Sequence, residues 1–269
     1  PDDPGGYFIL DGAERVLITQ ERVIPNLPYV NSVPEVMMAC SEPDSSKIKI
    51  LRLSFGKRGI VASVPGTKGL VPVGVLFRAL GVVSDQEIVR CIFNTDTPDE
   101  QEVHIILETL ASSHGIYDMH TAYRLLTHVS RAISLSSAHG IMHRFLFSQQ
   151  TGGLPEKATL LGSLVRMLIH RKLGRIQDTD RDSMKNKSLA ISGTLIGEIF
   201  SNIITTREEE IRKKISSIFN YNYTQYEDDK IFNLVSAITR SKDTIFNERE
   251  NTSLLRRSMK GQWGADPTR

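Results

Sequence analysis

Asp178, Asp180 and Asp182 alternate along one short stretch, with Arg181 between two of them and Lys185 and Lys187 just beyond. Carboxylates so spaced can cage a divalent cation, work as an acid cluster, or hold a salt-bridged turn. A calcium loop of EF-hand type starting at Asp178 needs Gly at its sixth place and Glu at its twelfth. Ser183 and Leu189 stand there instead. A magnesium site for phosphoryl transfer needs carboxylates that face the ion unopposed. Here Arg181, Lys185 and Lys187 are close enough in sequence to compete for the same acids. The stretch is read as a loop shaped by paired charges, with surplus basic groups pointing outward and no metal.

Other chemistry-bearing residues are sparser. His139 and His143 have the i, i+4 spacing of a zincin helix, but Gly140 stands where that motif needs Glu. They are read as surface or packing histidines. No G-x-S-x-G elbow is present, and "SVPGTKGL" lacks the spacing of a phosphate-cradling loop. "TREEEIRKK" sets Glu208, Glu209 and Glu210 four residues before Arg212, Lys213 and Lys214, the pattern of a solvated helix face. No catalytic constellation emerges.

The elements that must carry these residues are a strand-rich beginning and a helical remainder. With 269 residues the chain has room for two domains, and 40% apolar and 24% charged residues suit a globular protein with real cores. The net charge of +2 is small, so a polyanion surface has to come from local clustering. Cys40 and Cys91 form neither metal spacing nor a disulfide framework, which makes a reducing compartment the default. No apolar run approaches the roughly 18 residues of a membrane span. Position 1 is Pro and both ends read as cut, so the chain is expected to be a piece of a longer one.

"YFIL" and "RVLIT" around Asp11-Gly12 predict a tight hairpin. Residues 25–46 hold four of the eleven prolines and read as loop with short extended pieces. "KIKILRLS" and "GIVASVP" predict a second hairpin across residues 47–65. Helices are expected in "PVGVLFRALG", after a Ser84/Glu87 capping box, and at about 98–112, 118–134, 136–148, 155–173, 189–219 and 228–239. Residues 241–269 read as irregular.

Charge is segregated along the chain. Residues 96–108 are acidic, residues 166–187 carry seven basic against three acidic side chains, and residues 240–269 carry seven against four. Two basic zones separated by an acidic helix suit a protein that meets polyanions on one side.

Four stretches, in order, carry a resemblance. Asp3-Pro4-Gly5-Gly6-Tyr7-Phe8-Ile9 running through Asp11-Gly12-Ala13-Glu14-Arg15-Val16-Leu17-Ile18 to Gln20-Glu21-Arg22 is similar to "GGYFIINGSEKVLIAQER". Phe77-Arg78-Ala79-Leu80-Gly81 is similar to "IFRALG". Asp180-Arg181-Asp182, Asn186-Lys187, Leu189 and Gly193 resemble "DRDxxGNKRLxLxGxLL". Gly261-Gln262-Trp263-Gly264 resembles "TGNWG". All four patterns belong to the second-largest subunit of multisubunit DNA-dependent RNA polymerases of the eukaryotic, archaeal and large-DNA-virus type. Lys185 replaces a usual Gly, Ser188 a usual basic residue, and Lys260 and Gln262 a usual Thr and Asn, marking a divergent member.

The resemblance implies an α+β fold, mainly helical with short hairpins, in which a lobe domain interrupts a discontinuous protrusion domain. By that pattern 1–22 and 150–230 are protrusion, 23–149 is lobe, and 231–269 begins the fork. It implies a noncatalytic part of a nucleotidyltransferase that walls the DNA cleft and approaches the RNA–DNA hybrid. Asn186, Lys187, Arg256, Arg257, Lys260 and Trp263 would then lie near nucleic acid, while Asp180, Arg181 and Asp182 brace the loop. No metal is expected in this piece, since the Mg²⁺ of the whole enzyme is held mainly by the largest subunit. Implied partners are that subunit and the others, template DNA, the hybrid and nucleoside triphosphates, with no membrane. The implied location is intracellular, in nucleus or cytoplasm by lineage. The alternative from another class is a stand-alone helical nucleic-acid-binding or scaffold protein with a borrowed fold.

Overall fold

The computed structural model describes residues 5–42, 48–94, 97–130, 135–225 and 248–260. The chain forms two compact units, Val23–Lys187 and the pair of segments Pro1–Arg22 with Ser188–Arg269. The architecture is mixed α+β, as expected.

In the unit formed by the chain's two ends, β1 (Phe8–Leu10) and β2 (Ala13–Arg15) pair antiparallel with Leu10 opposite Ala13. The two residues between them, Asp11 and Gly12, have φ of 52° and 78°. Positive φ at both places matches the right-handed strand twist, which is why Asp-Gly suits this turn. β3 (Gln20–Val23) pairs with a later strand, β9 (Lys187–Ala190). Leu189 was expected to open a helix, but pairing with β3 extends it, and helix α7 runs instead over Ser192–Gln225. Arg22 fixes β3 to α7 by donating from Nη1 to both carboxylate oxygens of Glu198, at 2.6 and 2.8 Å.

The stretch expected to be irregular contains helix α8, Glu248–Met259, which packs against α7. It carries few apolar residues, so its helical period is faint in sequence. Leu255 shares a groove with Phe200, Ile203, Ile204 and Ile211 of α7. The helix expected at 228–239 lies outside the described residues.

The unit Val23–Lys187 is built on an antiparallel sheet with strands in sequence order: β4 (Pro28–Val30), β5 (Glu35–Ser41), β6 (Ile48–Gly56), β7 (Gly59–Ser63) and β8 (Val71–Pro72). β5 corrects the loop expected over 25–46. Val36, Met38 and Cys40 are buried on one face, but Met37 and Ala39 are also apolar, which blurs the two-residue period. Burial pushes the Cys40 thiol up to about 11. Both cysteines are free.

Helices α1 (Val73–Ala79), α2 (Asp85–Phe93), α3 (Glu100–Ala111), α4 (Met119–Val129), α5 (Leu135–Arg144) and α6 (Leu154–Lys172) complete this unit. Ser84 precedes α2 as expected but makes no side-chain cap. The capping pattern operates at α3, where Glu102 accepts the Asp99 backbone N–H at 3.0 Å.

α6 is the spine of the unit. It buries Leu161, Leu164, Val165, Leu168 and Ile169, each contributing about 1.5–3 kcal/mol by leaving water. It packs on α2 and on β4–β6. A Cβ at Gly162 would sit 2.0 Å from the Cys91 carbonyl oxygen, so glycine is what lets α6 approach α2. The compact unit therefore runs through α6 to Lys187.

α1 is buried on all sides, and with it Arg78 of the "FRALG" stretch. Arg78 Nη1 donates to the carbonyl and hydroxyl oxygens of Ser113, both at 2.9 Å, and Nη2 donates to Asp85 at 2.7 Å. A buried guanidinium is tolerated because these acceptors replace water.

Candidate nucleic-acid interface

The loop after α6 is held by a residue that sequence reasoning did not single out. Arg171, in the last turn of α6, donates to three backbone carbonyls: Asn31 at 3.2 Å, Ser32 at 3.1 Å and Ile176 at 3.0 Å. Its guanidinium also lies 3.9 Å from Asp178. Further along, the Thr179 backbone N–H donates to the Val30 carbonyl, and the Thr179 hydroxyl accepts from the Val30 N–H. The loop is thus stitched to the turn between β4 and β5, about 150 residues earlier in sequence. Nothing local in the sequence signals this.

The expected brace is assembled differently from its reading. Arg181 does not pair with its flanking aspartates. It donates to Asn31 Oδ1 at 2.8 Å, with its guanidinium 6.0 Å from the Tyr29 ring. Asp180 Oδ1 accepts the Asp182 backbone N–H at 2.9 Å, a turn closed by a side chain rather than an ion pair. Asp182 is 99% exposed and lies 3.7 Å from Lys187 Nζ.

Asn186 is buried in a short 3₁₀ turn, Met184–Asn186. Its amide donates to the Asp180 carbonyl at 2.6 Å, and its own carbonyl accepts from Ile24. These bonds bind the loop to itself and to the strand entering the unit. Lys187 follows, its side chain 18% exposed, while Lys185 is exposed.

Other basic groups of the 166–187 zone are engaged as well. Arg175 bridges Asp99 at 2.6 Å and buried Glu102 at 2.5 Å, and His170 lies 3.1 Å from Glu102. The acidic helix is therefore in part the counter-charge of this basic zone. Lys172 Nζ sits 4.2 Å from the centre of the Phe55 ring.

The second basic zone lies on α8. Lys260 Nζ donates to Asp11 Oδ2 at 2.5 Å, and Arg256 lies 3.6 Å from Asp11 Oδ1. Asp11 belongs to the β1–β2 turn, so two of the residues expected near nucleic acid share one carboxylate of the hairpin. Lys260, and secondarily Arg256, hold the Asp11 carboxyl below its usual 3.8. Arg257 is exposed. Trp263 lies outside the described residues.

The structure brings together Asp180, Asp182, Asn186 and Lys187 in one loop, and Arg256 and Lys260 on one carboxylate. The family model described as RNA polymerase Rpb2, domain 2, matches residues 26–190. The chain belongs to this family. The Rpb2 domain 2 match coincides almost entirely with the compact unit Val23–Lys187. The chain is similar over 98% of its length to DNA-directed RNA polymerase II subunit RPB2 of Meyerozyma guilliermondii, at 29% identity and covering 22% of that protein. It is 29% identical to subunit Rpo2 of Saccharolobus solfataricus over 74% of the chain and 19% of that protein. Subunit Rpo2N of Methanococcus vannielii is 26% identical over 80% of the chain and 46% of that protein. The chain thus spans about a fifth of the first two relatives and about half of the third.

Proposed function

We propose that the chain is part of the second-largest subunit of a DNA-directed RNA polymerase. In that role it forms a wall of the DNA cleft and approaches the RNA–DNA hybrid during DNA-templated RNA synthesis. The observation that carries this reading is the Rpb2 domain 2 match over residues 26–190, seated on one compact unit. On this reading Val23–Lys187 is the lobe, the chain before it and from Ser188 to about 230 is protrusion, and the fork begins near 231. The lobe takes in α6 because α6 is the spine of that unit.

Such an enzyme joins nucleoside triphosphates to RNA with release of pyrophosphate, a reaction that rests on metal-held phosphates and positioning. The acids of this loop do not fit the Mg²⁺ of that reaction. Asp180 is closed onto the Asp182 N–H, Asp178 stands by Arg171 and Asp182 by Lys187. Among the described residues no group of three or more His, Cys, Asp or Glu converges as a metal site. The ion belongs to the largest subunit, which with the other subunits, template and hybrid makes up the partners of this piece. Among the described residues no helix is long and apolar enough to cross a membrane. The place of action is inside the cell, wherever the polymerase of this lineage transcribes.

Lys187, Arg256, Arg257, Lys260 and Trp263 meet nucleic acid through phosphates or stacking, without base readout, because a polymerase must hold any template. Asn186 serves by fixing the loop that presents Lys187. The test is the slope of log affinity against log salt. Each phosphate-contacting cation contributes about 0.9 on duplex DNA and about 0.7 on single strands. Replacing Lys187 and Lys260 together by Ala is expected to flatten the slope equally for unrelated sequences. Replacing Lys213 and Lys214 on α7 is expected to leave it unchanged. The opposite pattern would place the nucleic acid on another face.

A further inference from the structure

His139 and His143 lie one turn apart on α5, and neither has a part in the reading above. Their Nε2 atoms are 3.0 Å apart and their ring centroids 4.1 Å, so the two nitrogens lean toward each other. Both side chains are exposed. An Nε2–H of one ring can donate to the other Nε2, a contact between like groups that a cation can replace.

The distance suits one ion held by both rings. With metal–imidazole bonds of about 2.05 Å, nitrogens 3.0 Å apart subtend about 95° at the metal, the cis angle of tetragonal and octahedral complexes. A regular tetrahedron needs the nitrogens about 3.3 Å apart. We propose that His139 and His143 form a two-ligand chelate for a divalent transition-metal ion of tetragonal preference, Cu²⁺ or Ni²⁺, with the remaining positions held by water.

Coordination balances simply. Two nitrogen lone pairs form the new bonds, two water ligands leave the ion, and the shared hydrogen moves to Nδ1 of the ring that carried it. The site is steadied from below. Lys157 Nζ donates to the carbonyls of His143 and Leu146, both at 2.8 Å, and so fixes the last turn of α5. Tyr123 packs 5.5 Å from the His139 ring, and its buried hydroxyl has no hydrogen-bond partner among the described residues. The charge of Lys157 opposes a bound cation, which restricts the site to ions that bind imidazole most strongly.

The untagged full chain is titrated with Cu²⁺ or Ni²⁺ alone, and with Mg²⁺ as a hard-ion control. One Cu²⁺ is expected per chain, with nitrogen couplings in its electron paramagnetic resonance spectrum, bound more tightly than Ni²⁺, while Mg²⁺ does not compete. H139Q and H143Q are each expected to weaken binding about tenfold or more, equivalent to about 1.4 kcal/mol. H104Q, at a side chain 75% exposed, is expected to change nothing. Both chelate substitutions are on exposed side chains, so thermal melting of the variants without metal is expected to match the unaltered protein. Binding that survives either chelate substitution, or a stoichiometry that falls equally with H104Q, would overturn the site.

Discussion

The loop after α6 and the end of α8 both carry basic residues that sequence reasoning assigned to one task, yet their charges are spent differently. In the loop, Arg171 and Arg181 donate to backbone carbonyls and an amide, and Arg175 to a buried carboxylate, so their positions are set by directional bonds. On α8, Arg256 and Lys260 share one carboxylate at the tip of a hairpin. Several directional hydrogen bonds from one part-buried guanidinium build shape, whereas exposed ion pairs are weak and exchange readily with other anions. A phosphate can replace Asp11 far more easily than it can replace the Asn31 carbonyl.

Breaking the loop should have the largest effect. Arg171→Ala leaves three carbonyls without their donor and is expected to cost about 2–4 kcal/mol in urea unfolding. The same measurement on Asp180→Ala with Asp182→Ala is expected to give at most about 1 kcal/mol, because both carboxylates are exposed. If the aspartates proved the costlier change, paired acids rather than Arg171 would hold the loop.

The α8 contact should show in binding rather than stability. Asp11→Asn removes the charge opposite Lys260 and Arg256 and is expected to steepen the salt slope on duplex DNA, by about 0.9 for each cation released to a phosphate. An unchanged slope would mean that neither cation faces nucleic acid.

The smallest effect is on titration. The Asp11 carboxyl is held below its usual 3.8, so its pairing is complete above that value and is lost as pH falls through the lower folded midpoint. Carboxyl carbon NMR should place the midpoint below 3.8 and return it toward 3.8 in Lys260→Ala. A midpoint indifferent to Lys260 would show that the ion pair does not form in solution.

How much of this was legible follows from the range of the interactions. The Asp11-Gly12 turn could be read directly, because two residues needing positive φ specify it locally. α6 could be read from Pro155 in its first turn, its apolar stripe and Gly174 beyond its end. β5 was hidden by apolar residues on both faces, and α8 by the lack of an apolar stripe. The residues expected near nucleic acid came from the family resemblance and from basic clustering, neither of which reveals whether a charge is already partnered.

Composition, periodicity and turn chemistry by themselves determined a strand-rich start with a hairpin and a helical remainder with a long apolar spine in the middle. These rest on forces acting within a few residues or averaged over a helix face. Tertiary structure decided that Leu189 is strand, that Asn186 is buried, that Arg171 donates to the Asn31 and Ser32 carbonyls, and that Asp11 claims Lys260. Each depends on a partner about 140 or more residues away, and a hydrogen bond's partner is chosen by folded geometry rather than by nearness along the chain.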